Sequence, residues 1–316
     1  IRRPPRSTQS RSSAASDVYK RQLLIFTSVN IFSSESQNTQ LILLGTGTPN
    51  ADPERSGPAL AIVVGQQSYL VDFGPGIVRQ AAKASRKFND MLEPLKPSNL
   101  RIAFLTHLHS DHTAGYPDLI LTPWVLERDQ PLKVFGPKGL KRMTDNILQA
   151  YDADINYRID GLEPANTEGW KVDVTEIDEG LIYQDELIKV SAFKINHGTW
   201  DNAFGYKFET ADKTIVVSGD TGPSKKLIEA SKNADILVHE VYSQDGFNQR
   251  SEVWKEYHST HHTSTVELAS IANQAQPELL ILNHILFWGA SEDELLGEIT
   301  ERYNGKVSLG SDLNIY

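Results

Sequence analysis

Phe104-Leu105-Thr106-His107-Leu108-His109-Ser110-Asp111-His112-Thr113-Ala114-Gly115 is the stretch on which the reading of this chain turns. An apolar run ends in His-x-His-x-Asp-His. At the extended end of a strand, residues two apart point the same way, so His107 and His109 can converge on one ion. The chain then leaves the strand, and Asp111 and His112 can turn toward a second. Imidazole and carboxylate without thiolate suit zinc, with iron or manganese as further candidates. Four such groups in six residues would be costly to bury without a metal.

Two coordination shells need more ligands than this cluster holds. Three other apolar runs end in a suitable group. Val190–Asn196 leads into His197-Gly198, Thr214–Ser218 into Gly219-Asp220-Thr221-Gly222, and Leu279–Asn283 into His284. Each sets a polar side chain at the carboxyl end of a strand, where α/β proteins build their sites. Strands are expected at Leu41–Leu44, Leu60–Val64, Tyr69–Asp72, Arg101–Leu105, Lys133–Phe135, Leu187–Ile195, Phe204–Phe208, Thr214–Ser218, Ile236–His239 and Leu279–Asn283. Helices are expected at Ile77–Lys87, Tyr116–Glu127, Leu140–Tyr151, Ser224–Lys232, Thr265–Gln274 and Glu292–Tyr303. Strands alternating with helices indicate α/β layering. Asp152–Gly180 has the weakest pattern and reads as irregular or hairpin structure.

The chain has 316 residues, 39% hydrophobic and 23% charged, as expected of a globular domain with a sizeable core. No apolar run is long enough to span a bilayer. The absence of cysteine rules out a disulfide scaffold, thiolate metal sites and a cysteine nucleophile. A net charge of -10 argues against a broad nucleic-acid-binding surface but not against a local basic groove. Residues 1–22 are rich in Arg, Ser and Pro, lack any hydrophobic period, and read as translated sequencing adapter. They hold six basic residues and one acid; without them the 31 basic and 41 acidic residues of the chain reduce to a net charge of -15. Residues 23–38 begin with an apolar stretch followed by small polar residues and read as a truncated secretory signal, which predicts a periplasmic or secreted protein, with a cytoplasmic one as the alternative. Residues 40–316 form the expected single folded domain.

The strand–HxHxDH–Gly pattern, followed by His197, Asp220 and His284 at these intervals, resembles the metallo-β-lactamase superfamily. Leu44-Gly45-Thr46-Gly47-Thr48-Pro49, Val71-Asp72-Phe73-Gly74-Pro75-Gly76, Thr106–Gly115 and His262-Thr263-Ser264 are similar to the ribonuclease Z branch. The resemblance covers residues 40–316 and implies a four-layer αβ/βα sandwich with the site at one edge of its two sheets. It implies that His107, His109 and His197 hold a first Zn2+, that Asp111, His112 and His284 hold a second, and that Asp220 bridges them; Mn2+ or Fe2+ could replace zinc. It further implies a hydroxide between the metals that attacks an ester or phosphodiester, with Asp111 orienting it or taking its proton.

Ser264 and Glu267 read as a capping box opening a helix, which puts His262 just before a helix N-terminus able to favour an anion. The resemblance makes His262 a proton donor to the leaving group, paired with Glu240. His258 and His261 read as surface or capping residues, and His239 as structural. Trp200 and Phe287-Trp288 follow ligand histidines closely enough to wall a substrate pocket.

The expected function is that of a dinuclear zinc hydrolase, exported and acting on a small-molecule ester or phosphodiester. Nucleic acid is disfavoured as a partner by the acidity of the chain and by the lack of a basic Gly/Pro-rich insertion; Lys138–Arg142 is the sole basic cluster between Gly136 and His197. The alternatives are an authentic tRNA 3′-processing endoribonuclease, or a β-lactamase, lactonase or arylsulfatase on the same site. A homodimer is left open. A non-enzymatic metal-storage protein is disfavoured, because it would leave His262 and Glu240 superfluous.

Overall fold

The computed structural model describes residues 38–87 and 89–316. The expected adapter remnant at 1–22 and signal at 23–38 therefore lie, except for Asn38, outside the described residues.

Thirteen strands and ten α-helices are described. The first six strands are β1 (Thr39–Gly45), β2 (Ala59–Val64), β3 (Gln67–Val71), β4 (Ile102–Phe104), β5 (Leu132–Gly136) and β6 (Val172–Glu176), which form one sheet in sequence order. The others are β7 (Gly180–Gln184), β8 (Lys189–Lys194), β9 (Phe204–Glu209), β10 (Thr214–Val217), β11 (Ile236–Tyr242), β12 (Leu279–Leu286) and β13 (Val307–Leu309), which form a second sheet ordered β13-β12-β11-β10-β9-β8-β7. The helices are α1 (Ile77–Lys87), α2 (Ser110–Thr113), α3 (Tyr116–Val125), α4 (Leu140–Ala150), α5 (Asp152–Asp160), α6 (Lys225–Ala230), α7 (Gln244–Asn248), α8 (Glu252–His261), α9 (Thr265–Ala275) and α10 (Glu292–Thr300).

The alternation of side chains along each strand builds the layers. In β1, Ile42 and Leu44 face a core shared with α1, α3 and α4, whereas Leu41 and Leu43 face the second sheet. Phe104, Tyr206 and Phe208 fill the space between the sheets, and a third core packs Val216, Leu237 and Leu282 against α6, α9 and α10. Burial on both faces explains why these strands read as nearly continuous apolar runs. The result is the expected αβ/βα sandwich. Arg128, fully buried, donates to the carbonyl oxygens of Leu100, Leu119, Ile120 and Gly169 and so ties the end of α3 to two loops; burial lowers its guanidinium to about 9.

Asp152–Gly180 is irregular only at residues 161–171 and 177–179, and it is not a hairpin. It contains α5 and β6, and β6 pairs parallel with β5 while β7 pairs antiparallel with β8 in the other sheet. Ile177–Glu179 is thus the crossover between sheets, and both flanking strands are edges with largely exposed side chains. An edge strand has little to bury, so its apolar period is weak. α8 also escapes the sequence pattern, because Val253 and Trp254 on it are exposed. Residues 313–316 return to the first sheet: the Leu313 N–H donates to the Leu43 carbonyl oxygen, the Leu43 N–H donates to that of Asn314, Leu41 and Tyr316 exchange backbone hydrogen bonds, and the outer edge of β1 is covered.

Candidate metal centre

β4 ends at Phe104, earlier than its apolar run suggests, and His107-Leu108-His109 continues without regular pairing. The two histidines still converge: His107 Nε2 lies 2.9 Å from His109 Nδ1. The chain then makes the single turn α2, which carries Asp111 and His112.

The second sheet delivers the other groups by three separate devices. His197 follows β8 in a loop where Gly198 has a φ of +57°, and a Cβ there would run into the His261 ring. His197 Nδ1 is 2.9 Å from the His261 carbonyl oxygen, which turns Nε2 inward, to 3.1 Å from His109 Nδ1. Asp220 follows β10 through Gly219, whose φ is +62°. His284 does not sit past the end of its strand. β12 runs on to Leu286, and the pairing with β11 shifts between Asn283 and Ile285, leaving His284 as the extra residue of a bulge at a φ of 46°. A bulge re-aims a side chain that the regular pleat would send elsewhere. His284 Nε2 lies 3.1 Å from Asp111 and 3.4 Å from Asp220. Glu240, expected at a strand terminus with His239, likewise lies inside β11.

The expected ligand atoms fall into two groups, His107, His109, His197 and Asp220, and Asp111, His112, Asp220 and His284, with Asp220 common to both. Burial lowers the affinity of His107 and His109 for a proton and brings His197 to about 4, so these rings are neutral at pH 7. Burial opposes charge on Asp220, but the neighbouring His284 and His112 outweigh it and hold the carboxylate ionised. His112 Nε2 is buried without a hydrogen-bond partner, while its Nδ1 is fixed 2.8 Å from Asp72. In the first group neutral imidazoles converge on an ionised, buried carboxylate; in the second, against the effect of burial, Asp220 and Asp72 hold a proton on His112, and Asp220 and Asp111 one on His284, protons that a divalent cation would displace. The residues fit a metal in each group.

Asp72 is a site residue that sequence reasoning assigned no role. It accepts from the Thr106 backbone N–H and hydroxyl, and it holds His112. Its φ of 60° is unusual for a residue other than glycine, and that strain is invisible in an apolar-run analysis.

His262 caps the end of α8, two residues before Ser264 opens α9 with the expected Ser264–Glu267 capping box. Its Nδ1 lies 3.2 Å from Glu240, whose other oxygen accepts from the Thr263 N–H at 2.7 Å. Burial, then the Asp220 charge, raises the Glu240 carboxyl well above its usual range; burial brings His262 to about 4. A protonated carboxyl against a neutral imidazole leaves one proton to share, with Nε2 free to donate outward. His258 and His261 are not surface residues. Each is 8% exposed, because α8 continues to His261 and sets both on its inner side. His239 is buried, with Nδ1 against the Glu240 carbonyl oxygen, as a structural residue would be.

A cavity of about 600 Å³ opens onto Asp111, Asp220, His262 and His284 and is walled by Trp288. Trp200 is not in this wall; it packs edge-on to His109 at 4.6 Å. Phe287 is not in this wall; its ring lies under Arg55. A second cavity runs from Ser110 and Asp111 to Pro75 and Gly76, just before α1. Arg79, Lys83, Arg86 and Lys87 are exposed along α1, so an acidic chain carries a basic stripe beginning beside its site. Among the described residues, no helix is long and apolar enough to cross a membrane.

A two-sheet sandwich with histidines and aspartates gathered at the ends and bulges of its strands defines a class of hydrolase that works with bound metal. The sequence profile of the beta-lactamase superfamily domain matches residues 67–285. The chain is 29% identical over 280 residues to a ribonuclease Z of Mycobacterium bovis (strain BCG / Pasteur 1173P2), covering 87% of this chain and 96% of that one. It is 32% identical over 283 residues to a ribonuclease Z of Mycobacterium sp. (strain KMS), covering 87% and 94%. Among solved structures, the short form of human tRNase Z superposes with a TM-score of 0.65 at 22% identity, covering 88% of this chain and 98% of that one. The metallo-beta-lactamase fold protein YhfI from Bacillus subtilis superposes with a TM-score of 0.69 at 16% identity, covering 88% and 99%. The chain belongs to the metallo-β-lactamase superfamily, in its ribonuclease Z-like branch, and is a hydrolase.

Proposed function

We propose that the chain is a dinuclear zinc phosphodiesterase that cleaves RNA in the manner its ribonuclease Z relatives' name implies. The observation that carries this reading is the pair of ligand groups sharing Asp220, with the Glu240–His262 dyad beside them. His107, His109 and His197 would hold one ion, Asp111, His112 and His284 the other, and Asp220 both. When bound, the ions supply Lewis acidity and a water acidic enough to attack near neutral pH. Asp111, at the cavity wall, would orient an attacking water and accept its proton. His262 Nε2 donates to the leaving oxygen, and Glu240 returns a proton through Nδ1. The basic stripe of α1 supports a polyanionic substrate in spite of the net charge of -10, because α1 begins where the second cavity ends.

A second reading, hydrolysis of a small ester or phosphodiester, is favoured by the size of the cavity at His262, which is that of a small-molecule pocket. Zinc-loaded protein assayed on precursor tRNA, an oligoribonucleotide, bis-nitrophenyl phosphate, an aryl sulfate, a lactone and a β-lactam separates the two. RNA cleavage at one phosphodiester is expected; turnover of small esters without any RNA cleavage would replace the first reading with the second. We further propose that residues 1–22 are adapter sequence and that residues 23–38 are a secretory signal. A reporter fused behind residues 1–40 that is not exported would remove the signal.

A further inference from the structure

α8 brings side chains to the metal cavity that neither the ligand set nor the His262–Glu240 dyad uses. Trp254 is 52% exposed and Tyr257 36% exposed, yet both line the cavity that holds Asp111, Asp220 and His262. Their rings meet edge to face at 5.8 Å. Each is backed by a histidine of the same helix. Trp254 stacks on His258 at 5.5 Å and Tyr257 on His261 at 4.2 Å, so the rings are set before anything binds. Arg250 lies over the Trp288 ring at 5.1 Å on the same wall and makes no ion pair among the described residues.

A core role does not account for these residues, since a tryptophan kept half in water gives up much of the benefit of burial. Pre-set aromatic faces next to a guanidinium that lies on Trp288 but has no anionic partner among the described residues match a planar ring joined to an anion. Tyr257 lies 6.4 Å from His262 between ring centroids, which puts the aromatic faces on the side where the proposed proton donor works.

We propose that Trp254 and Tyr257, with Arg250, form a stacking subsite for the nucleobase of the nucleotide that carries the leaving oxygen. This rests on the reading of the site as an RNA phosphodiesterase. Stacking on an aromatic side chain tolerates any base, because every base has a π-face, and Arg250 meets a flanking phosphate. A small aryl phosphodiester shares the planar-ring chemistry, so the test has an arm for each source.

The experiment measures binding separately from turnover. Full-length, zinc-loaded protein is titrated with adenosine monophosphate, ribose 5-phosphate and phenyl phosphate by calorimetry. Adenosine monophosphate is expected to bind about 10-fold more tightly than ribose 5-phosphate, within the range that base stacking provides. That preference is expected to vanish in Trp254→Ala, to shrink in Tyr257→Ala and to survive in Trp254→Phe, with zinc content and melting temperature unchanged. Absence of the preference in the wild type, or its persistence in both alanine variants, overturns the proposal. Phenyl phosphate binding as tightly as adenosine monophosphate assigns the subsite to aryl esters and also overturns it. Failure to cleave any oligoribonucleotide while the preference holds removes the phosphodiesterase reading and leaves a nucleotide-binding subsite in place. On a cleaved oligoribonucleotide, Trp254→Ala should raise KM about 10-fold with kcat little changed, and an abasic nucleotide at that position should erase the difference.

Discussion

The two sheets contribute to the candidate metal centre in different ways. The first supplies His107, His109, Asp111 and His112 from six consecutive residues, on a strand exit and one helical turn. The second supplies His197, Asp220 and His284 from three segments, each turned inward by its own local irregularity at Gly198, Gly219 or the β12 bulge. The contrast teaches that one side of the site is held by chain connectivity and the other by assembly of a sheet. Ligands on the second side answer to changes far along the sequence.

The largest effect that would break this comparison lies on the second side. Asp220 is the one residue common to both ligand groups. Asp220→Ala is expected to lower zinc content at both positions and to reduce turnover by at least about 10³-fold, roughly 4 kcal/mol of barrier. Full occupancy of two zinc ions in that variant, measured by elemental analysis, would remove its bridging role. His262→Ala comes next. Turnover should fall by about 10²–10⁴-fold with zinc content intact, most for alkoxide leaving groups and least for nitrophenolate. Loss of zinc would move His262 into the ligand shell.

Asp72→Asn tests the connected side. It weakens the acceptor that orients His112, and zinc affinity is expected to fall by about 10–100-fold, read by competition with a chelator. Burial depresses histidines on both sides: His107 and His109 on the connected one, and His197, His239, His258 and His262, each to about 4, on the assembled one. Between that value and the unfolded value of about 6.5 the unfolded chain binds more protons than the folded one. The contribution to stability is therefore complete above about pH 6.5 and is lost as the pH falls toward 4. The melting temperature of metal-free protein should decline through that window, and less so in His239→Asn. The smallest effect concerns residues 1–22, whose removal should leave melting temperature and turnover unchanged.

The same contrast decides what could be read from the residues alone. Strands buried on both faces, such as β1 and β2, announce themselves as apolar runs, and the HxHxDH cluster is visible because its spacing is local. Edge strands β6 and β7 and helix α8 were not legible, since their side chains remain largely in water and carry little period. His284 was found by its place after an apolar run, and Glu240 through the resemblance to the ribonuclease Z branch. Their position inside longer strands was hidden, because a bulge depends on the register of β12 against β11 rather than on either sequence. Asp72 escaped for a related reason. Its importance comes from Thr106 and His112, two partners more than thirty residues away.

The pairing of Leu313 and Tyr316 with β1 sets an order in time as well as in space. During synthesis β1 emerges among the first described residues, while the segment that covers its outer edge emerges about 270 residues later. At the usual rate of about 5–20 residues per second, that edge stays open for roughly 15 to 50 seconds. Over most of that interval Leu41–Leu44 lies in a strand with unpaired backbone groups, and His284 has not yet been made. The nascent chain therefore carries its His-rich cluster before it can close a second ligand group, and its longest exposure to wrong strand pairing falls at its most apolar edge.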